Sequence, residues 1–525
     1  MSSNNRLKNA LISLSDKEHL LEISKVLLKK KINLLATGGT AKYLKNYNIP
    51  VIEISEYTNF PEILNGRVKT IHPKIIAGIL SRRDQDQKTM QLYNILPIDI
   101  VIVNFYPFDK INTQKTYPIQ EIIEKIDIGG PTLVRSAAKN YRDVIVIVNF
   151  FDFKLIFDSM TNHYISIEKR LYLAKQAFLY TSSYEKSIAQ YFTNEDKFDT
   201  KHKKNLFPNQ FQLQFVKKQN LRYGENYHQK SALYIEENNL NPGTISSAYQ
   251  IHGKKLSYNN ISDADIALEC VKQFSQPACV IVKHGNPCGA SEKRSLLKAY
   301  ISAYKSDPIS AFGGVIAFNY IIDTETAEEI IQRQFVEVII APEINHLSLN
   351  ILKKKKNIRI LITGQFQKNN EQIDFKKITN GLLLQENDNS TIDIKKFNFV
   401  TTRLPTKKEL KDAIFCWNIV KYVKSNAILY GFNKTTISIG SGQTSRVDAT
   451  QLANIKAKNR GFDTIGATMA SDAFFPFRDG IDKAASIGIS CIIQPGGSIR
   501  DKEVIECANE YNIAMIFTQK RHFKH

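Results

Sequence analysis

Residues 279–289 read Cys279-Val280-Ile281-Val282-Lys283-His284-Gly285-Asn286-Pro287-Cys288-Gly289. The run begins as a short apolar, β-branched segment, which is the pattern of a buried strand, and it ends in a Gly/Asn/Pro turn. Lys283 and His284 lie where the strand gives way to the turn. Histidine exchanges a proton near neutral pH, and burial can tune a lysine to do so. The pair therefore predicts either a catalytic site or an ordinary solvated strand end.

The composition is that of a globular protein with an excess of positive charge. Of 525 residues, 43% are hydrophobic and 23% are charged, and this length allows about three or four units of domain size. The formal net charge of +20 is compatible with nucleic-acid binding. However, the lysines are spread along the chain, with short Lys-rich runs at 29–31, 201–204 and 353–356, and this favours compositional drift. Nucleic-acid binding is kept as an alternative to a small anionic substrate.

The six cysteines include no C-x-x-C pair and no tight cluster, which argues against a zinc ribbon and a disulfide scaffold. They are Cys270, Cys279, Cys288, Cys416, Cys491 and Cys507. The polar start Met1-Ser2-Ser3-Asn4-Asn5-Arg6 has no signal-peptide core, and no apolar segment approaches membrane-spanning length. The sequence predicts a soluble, cytoplasmic protein of a reducing compartment, with no membrane partner.

Strands and helices alternate through the first third of the chain. Strand-like runs lie at 9–14, 32–36, 51–54, 98–105 and 144–148, and this alternation indicates a parallel sheet covered on both faces. The second run leads into Thr37-Gly38-Gly39-Thr40 and a helix start. Free backbone N–H groups and the helix dipole favour phosphate there, although two glycines also suit an ordinary tight turn.

Three polar clusters interrupt the apolar pattern of this region. Residues 66–73, Gly-Arg-Val-Lys-Thr-Ile-His-Pro, place three potential cations in one loop. Residues 104–108, Asn-Phe-Tyr-Pro-Phe, end the long strand at its carboxyl edge, where α/β sheets bind ligands. Residues 127–131, Asp-Ile-Gly-Gly-Pro, precede a helix with Arg135 and Lys139 on one face. Each cluster alone suits a solvated loop or helix face, but three of them beside strand ends favour a site.

These motifs resemble the inosine-monophosphate cyclohydrolase part of the bifunctional purine-biosynthesis family, whose domain is similar to methylglyoxal synthase in fold. The resemblance covers most of residues 8–150, and 66–73 and 127–140 are its most specific parts. It implies a domain at residues 1–199. There the carboxamide nitrogen of a formamido-imidazole ribonucleotide attacks the formyl carbon, and water is lost. Because this reaction is intramolecular, positioning can supply most of the acceleration.

The same resemblance implies roles for individual residues. Proton transfer and oxyanion stabilisation are assigned to Lys69, Tyr106, Asp127 and Lys139. Arg67 and Asn104 position the purine-forming base, and Thr70 and Gly129 are further substrate contacts. The 5′-phosphate is held by Ser15, Lys17, Thr37, Gly38, Gly39 and Thr40. This sequence departs from the family pattern at Glu18-His19, where Thr-Gly is expected, and at Ile76, where a histidine is usual.

The larger remainder follows a polar, lysine-rich stretch at 189–215, which predicts a domain boundary near residue 200. Residues 221–229 gather hydrogen-bonding side chains without an apolar face, as a binding loop or a plain surface loop would. Residues 306–314 and 471–477 are similar pieces. They predict two related α/β units facing one another, with chance similarity as the alternative.

A zinc deaminase is a competing hypothesis, because Cys288 follows a proline downstream of His284. That chemistry needs the patterns H-x-E and P-C-x-x-C, but position 286 is Asn and position 291 is Ser. These residues cannot build the zinc site, so no metal centre is predicted.

Several short motifs instead resemble the formyltransferase part of the same family, the phosphoribosylaminoimidazolecarboxamide (AICAR) formyltransferases, whose subdomains are similar to cytidine deaminase but lack zinc. The motifs lie at 283–289, 307–314, 425–426, 442–446, 471–479, 494–498 and 521–525. The resemblance implies a domain at residues 200–525 that transfers the formyl group of 10-formyltetrahydrofolate to the amine of AICAR, giving FAICAR. The first domain then closes FAICAR to inosine monophosphate.

For formyl transfer the resemblance implies three catalytic residues. His284 acts as the base, Lys283 protonates the departing folate nitrogen or neutralises the oxyanion, and Asn426 orients the carboxamide or donates to the oxyanion. Substrate contacts are assigned to Arg222, Tyr223, Asp307, Phe312, Gly313, Arg446, Phe475, Asp479, Arg521 and His525. Tyr227 stands where Pro is common, and Phe432 stands where Lys is common, which predicts a lost charge near Asn426.

The sequence therefore predicts an α/β protein with a methylglyoxal-synthase-like parallel-sheet domain and a larger domain of two cytidine-deaminase-like subdomains. The expected function is a bifunctional enzyme of de novo purine biosynthesis. The resemblance implies a homodimer with shared formyltransferase sites, and it admits a monovalent cation. An enzyme that has kept only one activity, given Ile76 and Phe432, is the remaining alternative.

Overall fold

The computed structural model describes residues 7–106, 108, 118–158, 165–193, 206–207, 209–211, 213–236, 241–367, 373–389 and 392–525. The chain divides into two compact units, residues 1–205 and 206–525. The predicted boundary at 199/200 falls within 194–205, outside the described residues, and stays a prediction.

The first unit is built on a five-stranded parallel sheet. Its strands are β1 (Asn9–Leu14), β2 (Asn33–Ala36), β3 (Ile52–Glu53), β4 (Ile100–Asn104) and β5 (Ile145–Ile147), in the order β3-β2-β1-β4-β5. Both faces of a parallel sheet are covered by other elements, and β1, β4 and β5 are accordingly apolar and buried along most of their length. The predicted parallel sheet is confirmed.

The helices of this unit cover the sheet. They are Leu20–Lys29, Gly38–Asn46, Ile54–Thr58, Pro73–Leu80, Gln87–Leu92, Ile119–Glu124, Gly129–Lys139, Phe150–Asp158 and Ile167–Thr193. The chain builds outward from β1 to β2 and β3 on one side, and to β4 and β5 on the other. The strand order therefore reverses between β1 and β4, and the carboxyl ends of these two strands border the crevice where such sheets bind ligands.

The second unit contains two six-stranded mixed sheets. The first has the order β10-β9-β11-β12-β13-β8, with β8 (Tyr249–His252), β9 (Ala278–Lys283), β10 (Asn286–Glu292), β11 (Gly314–Phe318), β12 (Val336–Ala341) and β13 (Arg359–Ile362). The second has the order β16-β21-β20-β19-β17-β18, with β16 (Asn398–Phe399), β17 (Ile428–Gly431), β18 (Thr436–Gly440), β19 (Thr468–Ser471), β20 (Cys491–Gln494) and β21 (Ala514–Phe517). The pairs β6–β7 (Val216–Asn220, Ala232–Ile235) and β14–β15 (Ile373–Ile378, Gly381–Glu386) form two-stranded sheets.

Helices alternate with the strands of both sheets. They are Tyr258–Val271, Leu296–Ser306, Pro308–Ala311, Thr324–Arg333, His346–Lys353, Lys407–Val420, Arg446–Asn459, Asp479–Ala485 and Asp501–Glu510. In the described part of the chain, no helix has both the length and the apolar character that crossing a bilayer requires.

The two sheets of the second unit are copies of one plan. In each, a helix leads into an antiparallel hairpin, β9–β10 or β17–β18, and a third strand pairs antiparallel with the first strand of that hairpin. Two further parallel strands follow, and an antiparallel strand closes the far edge. The predicted duplication is confirmed by this shared topology.

The two similar sequence pieces that suggested the duplication are not equivalent in it. Residues 306–314 lie before β11, whereas residues 471–477 begin at the end of β19, which is the counterpart of β11. The likeness of these pieces is therefore coincidental. In the shared topology, the turn after β17, at residues 432–435, corresponds to the Lys283–Asn286 turn.

The two sheets meet along their hairpin edges, β10 and β18. The Ala290 N–H donates to Thr436 Oγ1 at 2.9 Å, and the Glu292 N–H donates to the Lys434 carbonyl at 3.1 Å. Thr436 is fully buried there. This junction fixes the β9–β10 hairpin relative to the second half of the unit.

Candidate active sites

In the first unit, two predicted substrate contacts, Ser15 and Asn104, are hydrogen-bonded to each other at the crevice between β1 and β4. The Ser15 N–H donates to Asn104 Oδ1 at 2.5 Å, and Asn104 Nδ2 donates to the Asp16 carbonyl at 3.0 Å. Ser15 Oγ donates to the Phe105 carbonyl at 2.8 Å. The Asn104 amide thus holds the turn that follows β1, and Lys17 continues that turn into the next helix.

A small cavity of about 160 Å³ opens at the carboxyl ends of these strands. Its polar lining includes Asp16, Glu18, His19 and Asn104. The His19 ring stacks on Phe150 with 3.7 Å between ring centroids. The departure Glu18-His19 therefore lies in the wall of this cavity and changes its charge and shape.

The predicted phosphate loop uses part of its hydrogen-bonding capacity internally. Thr40 is 2% exposed, and its hydroxyl bonds to the Leu14 backbone. Thr37 is also buried, and its hydroxyl lies 3.3 Å from Ser13 Oγ. The Gly38 N–H donates to Glu62 Oε1 at 3.2 Å. The helix start thus binds a carboxylate of the chain itself, and among the described residues no atom lies within 4 Å of the Cβ position of Gly39.

A second cluster in this unit surrounds Asp127. The Gly130 N–H donates to Asp127 Oδ1 at 2.9 Å. Burial raises the pKa of the Asp127 carboxyl, and the Gly130 N–H and the charge of Lys69 act in the opposite direction. Thr70 is buried against Gly129, where an added Cβ would lie 2.4 Å from Thr70 Oγ1. The structure therefore brings Lys69, Thr70, Asp127 and Gly129 together.

Two tyrosines that sequence reasoning missed support this cluster. Tyr180 and Tyr184 lie one turn apart on helix Ile167–Thr193 and accept hydrogen bonds from the Phe105 N–H at 3.0 Å and the Asp127 N–H at 2.8 Å. Burial raises the pKa of Tyr184 to about 12. Their spacing of four residues was the available signal, because it places both side chains on one helix face.

Three further predicted residues of the first unit are exposed. Tyr106 is 41% exposed, and its ring lies 6.0 Å from Lys125 Nζ. Arg67 forms an ion pair with Glu124. Lys139 is exposed in the last turn of helix Gly129–Lys139. Among the described residues, no hydrogen bond or ion pair joins Lys139 to Asp127, and the roles of Tyr106, Arg67 and Lys139 stay predictions.

In the second unit, Lys283 and His284 lie at the β9–β10 turn. His284 and Gly285 have φ angles of +51° and +75°, as the two central residues of a type I′ hairpin require. For a non-glycine residue such as His284 this left-handed conformation costs about 1–2 kcal/mol. Both oxygens of Asp263 accept hydrogen bonds there, from the His284 N–H at 3.1 Å and the Gly285 N–H at 2.7 Å. Lys283 Nζ donates to the Phe312 carbonyl at 2.5 Å.

The other half of the unit reaches this turn through Lys424. The Lys424 N–H donates to Asn286 Oδ1 at 3.0 Å. Its ammonium also lies beside the turn, because a Cβ added at Gly285 would be 3.5 Å from Lys424 Nζ. Asn426 is two residues further along the chain. The structure therefore brings Lys424 to the turn that carries Lys283 and His284, and the place of Asn426 in the same site stays a prediction.

Asn426 is held by a buried ion pair. Arg446 Nη2 donates to Asn426 Oδ1 at 2.7 Å, and Asn426 Nδ2 donates to the Gln443 carbonyl at 2.9 Å. Arg446 pairs with Asp472, and their side chains are 6% and 0% exposed. Arg446, predicted to contact substrate, thus fixes the Asn426 amide instead of facing solvent.

Two predicted substrate contacts are interior residues. Phe475 is 1% exposed and packs in the core of the second half, which differs from its predicted place as the wall of a binding site. Asp307 is 4% exposed, accepts from the Ser310 N–H at 3.0 Å and pairs with Arg460. Both side chains stabilise the fold around the site in this conformation.

The other predicted contacts lie at the surface. Phe312 is 61% exposed at the edge of a cavity of about 530 Å³, next to Gly313, whose N–H donates to the Phe335 carbonyl. The Arg222 guanidinium lies 5.2 Å from the Tyr223 ring. Arg521 lies 4.7 Å from the Phe523 ring, which contacts His525. Asp479 is exposed at the start of its helix.

The sequence predicted that Phe432 removes a positive charge beside Asn426. The structure does not support this prediction, because the two residues lie at opposite ends of β17. Phe432 follows the carboxyl end of β17, whereas Asn426 precedes its amino end. Lys408 Nζ lies 3.6 Å from the Phe432 ring centroid, so a cation is still present at this position. Ile76 packs against the core of the first unit.

Sequence comparison assigns both units to known families. The model of the AICARFT/IMPCHase bienzyme matches residues 137–456, more than half of the chain, and the MGS-like domain model matches residues 19–132. The chain belongs to the AICARFT/IMPCHase bienzyme family. A member of this bienzyme family is an enzyme of purine biosynthesis with AICAR formyltransferase and IMP cyclohydrolase activities, and this chain has both.

Curated relatives of this bienzyme match over the full length. The bifunctional purine biosynthesis protein PurH of Buchnera aphidicola subsp. Schizaphis graminum (strain Sg) is 67% identical, over 100% of both chains. The PurH protein of Buchnera aphidicola subsp. Acyrthosiphon pisum (strain 5A) is 62% identical, again over 100% of both. A solved structure, "Crystal structure of ForH", is 30% identical and covers 35% of this chain and 99% of its own, with a TM-score of 0.32.

Proposed function

We propose that the two reactions are divided between the two units. Ring closure takes place in residues 1–205, where Asp127 and Lys69 meet, and formyl transfer takes place in residues 206–525, at the Lys283-His284 turn. The observation that supports this assignment is that the segment before Asn426 meets the turn that carries Lys283 and His284, where the Lys424 N–H donates to Asn286 Oδ1. 10-Formyltetrahydrofolate is the formyl donor in this proposal.

In formyl transfer, the AICAR amine attacks the formyl carbon of the folate. His284 accepts the proton that the amine loses, a role suited to an imidazole near neutral pH. The bond between the formyl carbon and the folate nitrogen then breaks, and Lys283 supplies the proton that this nitrogen takes up. Asn426, held by Arg446 and Gln443, has a second N–H with which to stabilise the oxyanion.

In ring closure, the FAICAR carboxamide nitrogen attacks the formyl carbon within the same molecule, and the formyl oxygen leaves as water. A buried carboxyl with a raised pKa, such as Asp127, exchanges a proton closer to neutral pH than an exposed one. Lys69 supplies a positive charge for the oxyanion. Tyr106 follows the carboxyl end of β4. Lys139 is assigned to this step by the family motif alone.

The phosphate of the nucleotide is assigned to the turn after β1 and to the start of helix Gly38–Asn46. Glu62 must leave the Gly38 N–H for a phosphate to bind there, because the two anions would repel each other. A homodimer with shared formyltransferase sites, a cytoplasmic location and a monovalent cation in the larger unit are further parts of this proposal. All six cysteines are free, as a reducing compartment favours.

Two separate assays on single-residue variants test the division of labour. His284→Ala is expected to lower formyl transfer to AICAR at least about a hundredfold and to leave ring closure of supplied FAICAR unchanged. Lys69→Ala is expected to do the reverse. Equal loss of both activities in either variant would contradict two independent sites, and full formyl transfer by His284→Ala would remove His284 as the base.

A further inference from the structure

The turn that carries His284 is fixed by a carboxylate that does not belong to the turn. Asp263 lies in helix Tyr258–Val271, 21 residues before His284, and each of its oxygens accepts one backbone N–H of the turn. These bonds hold the peptide units on both sides of the His284 Cα. The direction in which the imidazole leaves the backbone is set by those two units.

Asp263 is itself held in place by its helix. Ser257 and Asn260 form a capping box at the start of this helix, which fixes the first turn. Asn260 Nδ2 also donates to Glu337 Oε2 at 2.7 Å, which ties the helix to β12. The carboxylate therefore sits on a rigid support, as the orientation of a reacting group requires.

The duplicated half contains the same arrangement. Asp412 occupies the sixth position of helix Lys407–Val420, as Asp263 does in helix Tyr258–Val271. Asp412 accepts the N–H groups of Asn433 at 2.9 Å and Lys434 at 2.7 Å. These residues also have positive φ angles, +50° and +51°. A carboxylate that clamps two successive N–H groups of the hairpin turn is thus built into both copies of the fold.

We propose that Asp263 is a positioning residue for formyl transfer, which orients the His284 imidazole by clamping the backbone on both sides of it. This inference rests on the proposed role of His284 as the base. In the first half the clamp serves the reaction, whereas in the second half the Asp412 clamp serves the junction between the sheets, where Lys434 pairs with Glu292. In this proposal Asp263 acts through His284 and makes no contact with the substrate.

The test compares Asp263→Asn with Asp412→Asn as its matched control. Asn keeps one acceptor oxygen and presents an amide NH2 group, which is a donor, to the second N–H, so one bond of the clamp is lost in either variant. Asp263→Asn is expected to lower kcat for formyl transfer about 10- to 100-fold, with the KM for AICAR changed less than about threefold. Ring closure of supplied FAICAR stays at the wild-type rate. Asp263→Glu keeps both acceptor oxygens and is expected to recover part of the loss.

Asp412→Asn is expected to keep kcat for formyl transfer within about threefold of wild type. If both Asn variants lose activity in proportion to their loss of thermal stability, the effect is structural and the proposal is overturned.

A double variant separates this proposal from the assignment of His284. Because Asp263 acts only through His284, Asp263→Asn added to His284→Ala is expected to cause no further loss of the residual rate. A further tenfold loss would show that Asp263 acts by another route. If His284→Ala is inactive and Asp263→Asn has a normal kcat, only the positioning role fails; if His284→Ala keeps full activity, the proposed base fails first.

Discussion

Burial raises the pKa of the Asp127 carboxyl, even though the Gly130 N–H and Lys69 both act against this effect. The folded first unit therefore binds the Asp127 proton more tightly than the unfolded chain does. The resulting stabilisation is present at low pH, below the pKa of the unfolded chain, and is lost as the pH rises through the folded pKa. Once the pH exceeds the folded pKa, the ionised Asp127 therefore makes the first unit less stable than it would be with a neutral side chain.

Asp127→Asn is accordingly expected to raise the melting temperature of the first unit by a few degrees at pH 7.5 while lowering ring closure. The difference should shrink as the pH falls below about 3.9, the ordinary aspartate pKa, because the wild-type carboxyl then becomes neutral in both states. Thermal unfolding at several pH values measures this. Asp84→Asn, at an exposed carboxyl of the same unit, is the control. A variant less stable than wild type at pH 7.5 would show that the bond to Gly130 outweighs the burial of the charge.

Single residues also mark the limit of what the sequence could predict. Lys283 and His284 were found because an apolar strand ends at them, and that is a local pattern. Asp263 gave no such signal, because it lies 21 residues earlier in an ordinary amphipathic helix and meets His284 only through the fold. For Phe475 the sequence left both a core position and a binding-site wall open, since a Phe in a polar motif does not reveal which way its ring points, and the structure places it in the core.

At the level of elements, the second half of the larger unit is tied to the site by the start of helix Arg446–Asn459. Arg446 reaches Asn426 and Ser471, and it pairs with the fully buried Asp472. Asp472 also accepts the Ala427 N–H at 3.2 Å and a hydrogen bond from Ser425. A helix start, β17 and the end of β19 are thus joined by one buried ion pair.

Arg446→Met is expected to destabilise the second unit by about 3–5 kcal/mol, because it leaves the buried Asp472 charge without its partner. It should also abolish formyl transfer, since Asn426 loses its orientation, and spare ring closure. Denaturant unfolding and the two assays measure this. Arg478→Met is the control, because Arg478 forms a more exposed ion pair with Asp482 and Glu510, a class that contributes about 0–1 kcal/mol. Equal destabilisation by both variants would contradict the role of the buried pair.

Elements were easier to predict than the contacts between them. Every strand of the first sheet was found from its apolar run, and β4 was predicted only slightly too long, at 98–105. The duplication was predicted from a coincidental likeness, yet it is real. Its true signature is the order of strands and helices, which periodicity alone could not align because the loops of the two halves differ in length.

At the scale of the whole molecule, the net charge of +20 remains to be explained. The lysines that could be assigned have local partners: Lys434 pairs with Glu292, Lys45 with Glu53, and Lys408 lies on Phe432. A Lys–Glu pair is neutral, however, and leaves the net charge unchanged. The excess lysines are spread along the chain, with short runs at 29–31, 201–204 and 353–356, and this dispersal favours small anionic substrates over a nucleic-acid groove.

The protein is therefore expected to bind duplex DNA only weakly, and without sequence preference, at 0.15 M salt. Fluorescence anisotropy with a labelled duplex at several salt concentrations measures this, with AICAR as a competitor. A basic groove would instead give a log Kd that changes with log salt by about 5 or more, the value for about six neutralised phosphates. Such a slope would favour the nucleic-acid alternative.

The edge-to-edge junction of β10 with β18 has a consequence for any attempt to separate the two halves of the larger unit. Each half would carry a bare hairpin edge, and an unpaired strand edge recruits other chains. An isolated half would also lose the Lys424 backbone group that steadies Asn286. Expression of either half alone should therefore yield aggregates without formyl transfer activity. Mixing the two purified halves after refolding should not restore the activity of the intact chain.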